Sequence, residues 1–478
     1  MAVAGTTTGR SASTGGSRFA RLTSFELMYL HVENTDWPCH FGGLAILEGS
    51  ALLDSSGRLQ LQEIRDRLDR RVRHVPALRR RLHVPGRLGG RPLWVDDQHF
   101  AIEHHVHEMA VESPGGDAEL LATAARLYGR LLNRNRPLWE LWFLTGLDQN
   151  RVAALLKLQH AVADGMSAVA IMCSLFDREP DAPDPAPSQW TPEPVPSDWS
   201  LLADNLFTKA VFVRRAARAC LHPAGLIPGA RVATMVTRRT MGEDGAPRTS
   251  LNEPVRAGRS IRILRLERTA MKRVARAHGG TINDVVLCLW AGALRQLLVS
   301  RGEWRPGLEV AIGQAVSLRS RTRAGAIDNQ VGTVVVRLPA WEAEVDRRLD
   351  LVVEVTRRTK GKRQRPAAIM GVLVGLAATP IGRYVFLHQR ASSALVTNVP
   401  GPSAPVYVLG ARIIDILPII PIMGNIGLTL CAFSYAGKIS LVVTAAASSF
   451  PDVDVLMAGM EREWRALVRS DVHQPVLA

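Results

Sequence analysis

One histidine, His160, ends the apolar run LKLQH, and Asp164 and Gly165 follow it four and five residues later. The unperturbed pKa of histidine lies near neutrality, so its ring takes up and returns a proton at physiological pH. An aspartate bonds backbone donors in a turn, and a glycine adopts backbone angles that other residues resist. The spacing H-x-x-x-D-G therefore suits a catalytic base on a turn, although a lone histidine more often serves only the fold.

The segments around His160 predict the elements that position it. ELWFLTGL and VAALLKLQ are apolar runs of strand length, and MSAVAIMCSLF reads as a helix after the Asp-Gly turn. His160 thus directly follows a strand, where functional groups are commonly placed. The stretch around the motif NVPGP reads as a rigid turn, and Asp117 is placed to cap the helix DAELLATAARLYGRLL. The second half repeats the alternation of strands and helices, which predicts a mixed α/β fold with two lobes.

Composition changes divide the chain into four segments. A Gly/Ser/Thr-rich tail without the apolar core of a secretion signal opens the chain, and a proline-dense polar stretch near its middle cannot lie inside helices or sheets. The predicted segments are a disordered tail at 1–18, a first lobe at 19–177, a proline-rich linker and crossover at 178–254, and a second lobe at 255–470.

The charge and cysteine content restrict the partners. The formal net charge is +15, which favours an anionic partner such as a membrane surface, nucleic acid or a phosphorylated small molecule. Five scattered cysteines without a CxxC motif predict a reduced interior and no zinc site. The apolar, glycine-rich segment from Ala367 is too short to span a bilayer, so we expect a buried or interfacial helix there.

Two other patterns could suggest a metal site or nucleic-acid binding, but the residues around them do not support either function. The sequence HHVHE contains three histidines, but in an alternating strand His105 would point away from His104 and His107, so we predict a strand surface without a metal. The basic run DRLDRRVRHVPALRRRL predicts an amphipathic helix broken by Pro76. No aromatic stacking platform or known nucleic-acid module accompanies it, which favours anionic lipid or the phosphates of a cofactor-like substrate over nucleic acid.

An ordered set of motifs gives His160 its context. RNRPLWELWFL precedes it, and HGGTINDVVLCLWAGALR, AVSLR, TNVPGP and SYAGKISL follow it in that order. In order and distance, these motifs closely resemble the bacterial wax ester synthase/diacylglycerol acyltransferase family, over about residues 20–468. The family resembles the larger group of acyl-CoA-dependent acyltransferases that use an H-x-x-x-D-G base. The resemblance implies two chloramphenicol-acetyltransferase-like lobes, each a mixed sheet flanked by helices, with the active site in a channel between them.

The resemblance also implies roles for single residues. His160 would be the general base, with Asp164 and Gly165 completing the motif, and Gln159 stands where the family has a first histidine. The residues expected to line the substrate channel or to support it are Pro137, Leu138, Trp139, Asn283, Asp284, Asn398, Pro400 and Gly401. For Asn283 and Asp284, helix capping is the alternative explanation. The family pattern departs further at Asp328-Asn329, where Gly-Asn is usual.

The function implied by the resemblance is transfer of a long-chain acyl group from acyl-CoA to diacylglycerol, or to long-chain alcohols to give wax esters. No cofactor and no metal is expected, since acyl-CoA is a co-substrate. We expect a cytoplasmic protein that is peripheral to the inner face of the membrane or to lipid droplets. The alternative is a catalytically weak or inactive protein that binds lipid or acyl-CoA, a hypothesis motivated by Gln159.

Overall fold

In the computed structural model, two mixed sheets with helices packed against them carry most of the chain. The structure describes residues 17–163, 170–172, 174–220, 245–317, 331–361, 384 and 387–473. Of the expected helix MSAVAIMCSLF, residues 166–169 and 173 lie outside the described residues, and residues 170–172 and 174 are helical as expected. The apolar segment from Ala367 lies almost wholly outside the described residues.

The strands of the described residues follow one another in chain order. They are β1 His40–Glu48, β2 Arg80–His83, β3 Leu93–Asp96, β4 Val106–Ala110, β5 Trp139–Thr145, β6 Arg151–Gln159, β7 Arg259–Glu267, β8 Val310–Ser317, β9 Val331–Leu338, β10 Ala394–Pro400, β11 Tyr407–Val408, β12 Ala411–Ile419, β13 Leu428–Tyr435 and β14 Lys438–Ala446. The α-helices whose bounds lie within the described residues are α1 Ser24–Val32, α2 Leu61–Val72, α3 Pro76–Arg79, α4 Asp117–Tyr128, α5 Asp198–Cys220, α6 Arg268–Ala277, α7 Ile282–Ser300, α8 Val345–Gly361 and α9 Val453–His473.

The strand order shows how the two halves of the chain are joined. The first sheet runs β11-β12-β1-β6-β5-β4 and the second β7-β14-β13-β10-β8-β9, while β2 and β3 form a separate hairpin. In the first sheet β1 lies between β6 and β12, with Gly42 opposite Ile419 on the β12 side. Two strands from the second half of the chain, β11 and β12, therefore complete the sheet that carries His160, a crossover that the sequence patterns do not reveal.

Both faces of the first sheet are covered, which explains why its central strands are largely apolar. Along β6, Ala153 and Leu155 point into one core cluster, whereas Ala154 and Leu156 point into another. This alternation follows from the two-residue period of a strand. Because every position on β6 from Val152 to Gln159 is buried, the strand is held rigidly up to the residue before His160.

The predicted mixed α/β fold and its main strands are confirmed, including the two apolar strands before His160. Helix α7 is 19 residues long and apolar enough to span a membrane by length and composition, the one such helix among the described residues. Of its most apolar window, 72% is buried inside the protein. We therefore interpret α7 as the central core helix of the second lobe, which packs on α9 and α8.

Four local expectations were wrong. The amphipathic helix before Pro76 is confirmed as α2, but the basic run after Pro76 gives only the short α3 and then enters β2, because Arg80 to His83 pair with β3. Helix α4 is capped at Gly116, whose backbone N–H donates to the Glu119 carboxylate at 2.9 Å. Asp117 instead binds Arg265 across the two halves at 2.7 Å.

The third concerns the histidine-rich segment. His105 does not lie on a strand surface, because a 3₁₀ turn precedes β4 and turns the His105 ring into the core, where it is 2% exposed. The fourth concerns NVPGP. Asn398 to Pro400 continue β10 and pair in parallel with β13, so the chain leaves the sheet only at Gly401.

Candidate active site

His160 lies on the turn that ends β6. The backbone N–H of Gln159 still donates to Leu138 at 3.0 Å, and that of His160 donates to the Cys39 carbonyl at 2.9 Å. The chain then turns, since Val162 donates back to the Gln159 carbonyl at 2.9 Å. Two neighbouring strands therefore fix the backbone of the candidate base directly before the turn releases it from the sheet.

Aromatic rings surround the imidazole of His160. The ring of Tyr29 stacks on it with 3.9 Å between ring centroids and 13° between planes. Phe41 lies at 4.2 Å with a tilt of 35°, and Phe25 approaches edge-on at 6.3 Å. The His160 residue is partly buried, so these contacts restrict the imidazole while it stays partly accessible. Such packing fixes ring orientation, which is what a proton-transferring group requires.

The side chain of Gln159 is 1% exposed and uses both ends of its amide. Its Nε2 donates to Oε1 of Glu33 at 2.7 Å, and its Oε1 accepts the backbone N–H of Ala161 at 2.9 Å. Because the two partners differ, only one orientation of the amide satisfies both. A neutral imidazole likewise offers one donor and one acceptor. Gln159 thus meets the hydrogen-bonding demands that a histidine would meet at this position, without titrating.

Glu33 connects three segments behind the candidate base. Its carboxylate side chain is 2% exposed, and besides Gln159 it accepts the backbone N–H of Cys39 at 3.1 Å. Arg134 donates to its other oxygen at 3.0 Å. A buried carboxylate needs such partners because burial of an unpaired charge is costly. Glu33 therefore holds the end of α1, the start of β1 and the end of β6 together.

The Pro137-Leu138-Trp139 motif supports this region from the neighbouring strand. Leu138 provides the carbonyl that binds Gln159, and all three residues are buried. The Trp139 indole N–H donates to the Leu78 carbonyl at 2.6 Å, and its ring stacks on His105 at 4.5 Å. The motif thus contacts the backbone next to His160 and anchors the start of β5 in the core.

In the second lobe, Asn283 and Asp284 form hydrogen bonds within that lobe. The Asp284 carboxylate accepts the backbone N–H and the hydroxyl of Thr281 at 2.7 and 2.8 Å, and the Thr356 hydroxyl at 2.7 Å. Asp284 is therefore part of a capping box that starts α7, as the capping explanation predicts. Asn283 accepts from the Gln314 amide at 2.9 Å, which ties α7 to β8.

The predicted residues at the end of β10 are exposed or partly exposed. Asn398 and Pro400 are exposed, and Gly401 donates to the Ser434 carbonyl at 3.0 Å. A Cβ at Gly401 would lie 2.4 Å from that carbonyl oxygen, so the close approach requires glycine. The packing of the backbone thus explains why residue 401 is a glycine, independently of any role in a channel.

The remaining predicted residues fall outside the described part of the chain. Asp164 and Gly165 do so, and so does the Asp328-Asn329 departure from the family pattern. A cleft of about 510 Å³ is seen in the second lobe, with Arg248, Arg305 and Arg390 among its lining residues, whereas none of the residues around His160 lines it. The channel between the lobes stays a prediction.

Several residues around His160 carry no motif and were missed: Tyr29, Glu33 and Phe41. The available signal is the spacing of Phe25, Tyr29 and Glu33, which places them on one face of α1. Met28 and Leu30, on either side of Tyr29, are also buried, so the pattern by itself indicates only core packing. The aromatic contact with a histidine about 130 residues away is visible only in the folded chain.

Burial dominates the electrostatics behind the site. His40, which pairs with Gln159 across β1 and β6, is fully buried, and desolvation lowers its pKa to about 3, with Lys157 adding to the effect. Its Nε2 lies 2.5 Å from the Tyr128 carbonyl. Burial also raises the pKa of the Cys39 thiol, so this cysteine is protonated and serves as a packing residue. Neither group competes with His160 as a base.

The fold resembles that of solved acyltransferase and condensation-domain structures. The wax ester synthase/diacylglycerol acyltransferase from Marinobacter aquaeolei VT8 superimposes with a TM-score of 0.68 at 22% identity, over 95% of this chain and all of that one. The starter condensation domain of rhizomide synthetase gives 0.56 at 12% identity, over 95% and 94%. The expected acyltransferase fold is thereby confirmed.

Sequence comparison identifies the family. The wax ester synthase/diacylglycerol acyltransferase catalytic domain matches residues 22–286, and the C-terminal domain of the same family matches residues 327–467. Two probable diacylglycerol O-acyltransferases of Mycobacterium tuberculosis are 29% and 30% identical over 92% of this chain and cover 94% and 97% of their own lengths. The chain belongs to the wax ester synthase/diacylglycerol acyltransferase family and is an acyltransferase.

Proposed function

We propose that this acyltransferase transfers a long-chain acyl group from acyl-CoA to diacylglycerol, with long-chain alcohols as a second class of acceptor. The names of the mycobacterial relatives support diacylglycerol as the first acceptor to test. The observation that carries the proposal is the position of His160: the strand end fixes its backbone, and Tyr29 and Phe41 pack against its partly accessible ring.

In the proposed mechanism, the imidazole of His160 acts first as a base and then as an acid. It takes the proton of the acceptor hydroxyl as that oxygen attacks the thioester carbonyl carbon. A carbon–oxygen bond forms and the carbon–sulfur bond breaks, and the imidazolium returns its proton to the leaving thiolate. No covalent acyl-enzyme is needed, because both substrates meet at one imidazole. The products are an ester and free CoA.

The H-x-x-x-D-G motif and the second-lobe motifs complete the proposal. Asp164 would fix the loop after His160, and Gly165 would permit its backbone conformation. Asn283, Asn398, Pro400 and Gly401 would border the opposite wall of a channel between the lobes. In that arrangement acyl-CoA enters from a basic mouth and the acceptor from an apolar one.

The proposed setting is the cytoplasmic face of a membrane or the surface of a lipid droplet. The net charge of +15 supports an anionic surface. The acceptor is itself a membrane lipid, so a peripheral protein would meet it where it resides. No cofactor or metal enters the proposal, since proton transfer by His160 and the activated thioester supply the chemistry.

The test is an acyl-transfer assay with purified protein, palmitoyl-CoA and one acceptor at a time. Release of free CoA is followed with a thiol reagent, and the ester product is identified by its mass. We expect triacylglycerol from diacylglycerol and a slower formation of wax ester from hexadecanol. CoA release that does not depend on an acceptor would reveal thioester hydrolysis and contradict the proposal.

The alternative function, a weak or inactive protein that binds lipid or acyl-CoA, rests on Gln159. The hydrogen bonds of Gln159 argue against it, because they reproduce the donor and acceptor of a neutral imidazole. The same assay separates the two functions when palmitoyl-CoA binding is measured in parallel by calorimetry. Tight binding without product from any acceptor would establish the alternative.

A further inference from the structure

Helix α5 exposes a row of apolar side chains to solvent. Trp199, Leu206 and Val213 are 80%, 59% and 64% exposed, and they lie seven residues apart. Positions seven apart lie within about 20° of each other around a helix, so the three side chains form one line. Exposed alanines lie between them at Ala203 and Ala210, and a third, Ala217, follows Val213. We call these six residues the α5 stripe.

The opposite face of the same helix holds it to the first lobe. Leu201 is fully buried, and Asp204, 5% exposed, binds Arg21 at 2.6 Å. Asn205 donates to the Leu88 carbonyl at 2.8 Å. These contacts end early in the helix, and all but two of the residues 206–214 are exposed. From Leu206 to Arg214, α5 thus extends beyond its contacts with the lobe, and no described residue covers the apolar stripe there.

Basic residues accompany the stripe. Lys209 borders it on one side and Arg214 on the other, and both are exposed. From 206 to 220 the sequence has no aspartate or glutamate, and it has two further arginines, Arg215 and Arg218. A helix with aromatic and aliphatic side chains on one face and basic side chains beside them is suited to lie in the interface of a membrane.

We propose that the α5 stripe is the surface by which this protein docks on an anionic lipid surface. The apolar side chains would enter the boundary between headgroups and acyl chains, while Lys209 and Arg214 bind lipid phosphates. Charge favours this occupant over a second copy of the chain, because two such helices would bring like charges together. Docking through α5 does not depend on acyl transfer, and it assigns a membrane-facing element within the described residues.

The test is sedimentation of the full chain with vesicles of pure phosphatidylcholine and of an equal mixture of phosphatidylcholine and phosphatidylglycerol. The stripe variant carries Trp199→Gln, Leu206→Gln and Val213→Gln. We expect its binding to the anionic vesicles to fall at least about tenfold, since each apolar side chain contributes by leaving water. Lys209→Gln with Arg214→Gln should weaken binding to the anionic vesicles only.

A matched control keeps the result interpretable. Phe212 is 71% exposed on the same helix but lies seven residues after Asn205, on the side of α5 that contacts the lobe only near the start of the helix, and Val299 and Val455 are exposed elsewhere. The triple variant Phe212→Gln, Val299→Gln and Val455→Gln should bind vesicles like the native chain. Circular dichroism and thermal unfolding establish that each variant is folded.

Two results would overturn the proposal. One is equal loss of vesicle binding in the stripe and control variants, which would mean that no particular face docks. The other is a dimer of the native chain in light scattering and a monomer of the stripe variant that still binds vesicles. That pair of results would assign the stripe to contact with a second copy of the chain. Acyl transfer to an acceptor dispersed in detergent should be unchanged in the stripe variant. If the native chain shows no acyl transfer at all, the proposed function is contradicted, whereas the docking proposal is unaffected.

Discussion

The imidazole of His160 and the phenol ring of Tyr29 stack nearly in parallel, with 3.9 Å between their centroids. Tyr29 is on α1, and His160 is on the turn after β6, so the contact joins two segments that are distant in the sequence. It restricts the ring of the candidate base from one side, while Phe41 approaches it at 4.2 Å. The consequences of this arrangement are open to experiment.

His160→Ala should reduce acyl transfer by about 10²–10⁴-fold, since it removes the group proposed to move the proton in both directions. The residue is only partly buried, so the variant should fold. His104 is exposed and serves as the control, because His104→Ala should leave the rate unchanged. Rates are measured by CoA release. A folded His160→Ala protein with native activity would exclude His160 as the base.

Tyr29→Leu should lower kcat about tenfold with little change in KM, because the imidazole loses the ring that restricts it. Tyr29→Phe keeps the ring and should restore kcat to near the native value. Steady-state kinetics over a range of acyl-CoA concentrations separate the two constants. If both variants lose activity equally, the phenol hydroxyl and not the stacked ring is what matters.

Gln159→His should preserve or raise activity, because an imidazole donates to Glu33 and accepts from Ala161 in the same way as the amide. Gln159→Leu should lower the free energy of unfolding by about 1–3 kcal/mol, since it leaves the buried Glu33 carboxylate with one donor fewer. Denaturant unfolding measures the second effect. A large loss of activity in Gln159→His would show that the glutamine has a role of its own.

Asp284→Ala should destabilise the second lobe by about 1–3 kcal/mol, because the Thr281 backbone N–H and hydroxyl and the Thr356 hydroxyl lose their acceptor. The rate per folded molecule should remain near the native value. Asp284→Asn retains an acceptor and should be less destabilised. A drop in rate at unchanged stability would instead place Asp284 in the substrate channel.

Stability should fall in mild acid because two histidines are buried. Burial lowers the pKa of His40 to about 3 and that of His105 to about 4, against 6.5 in the unfolded chain. The unfolded state therefore binds more protons below pH 6.5, so stability is full above that pH and is lost as pH falls toward 4. The expected slope is about 1.4 kcal/mol per pH unit for each histidine.

His105→Gln removes one of these groups and should reduce the slope by about half over this range. The measurement is denaturant unfolding of both proteins at a series of pH values. An unchanged slope would mean that His105 is protonated in the folded state. His40 is left in place because its ring contacts Tyr128 beside the candidate site.

The sequence by itself determined the elements around His160. Strand β6 and the α7 capping box depend on apolar periodicity and on residues within a few positions of one another, and both are found as expected. The family and the mixed α/β fold also follow from motif order. Predictions from local patterns were wrong where pairing with a distant strand determines the secondary structure. Arg80 lies in β2 because β3 pairs with it, and Asn398 lies in β10 because β13 pairs with it.

Only the tertiary structure decided what surrounds the imidazole. Tyr29, Glu33 and Phe41 reach the end of β6 because α1 and β1 pack against it, and the first sheet is completed by β12 from the second half of the chain. Periodicity records which face of an element is buried, but not which distant element buries it. That choice depends on how all the faces fit together, so the contacts of Gln159 and His160 exist only in the folded chain.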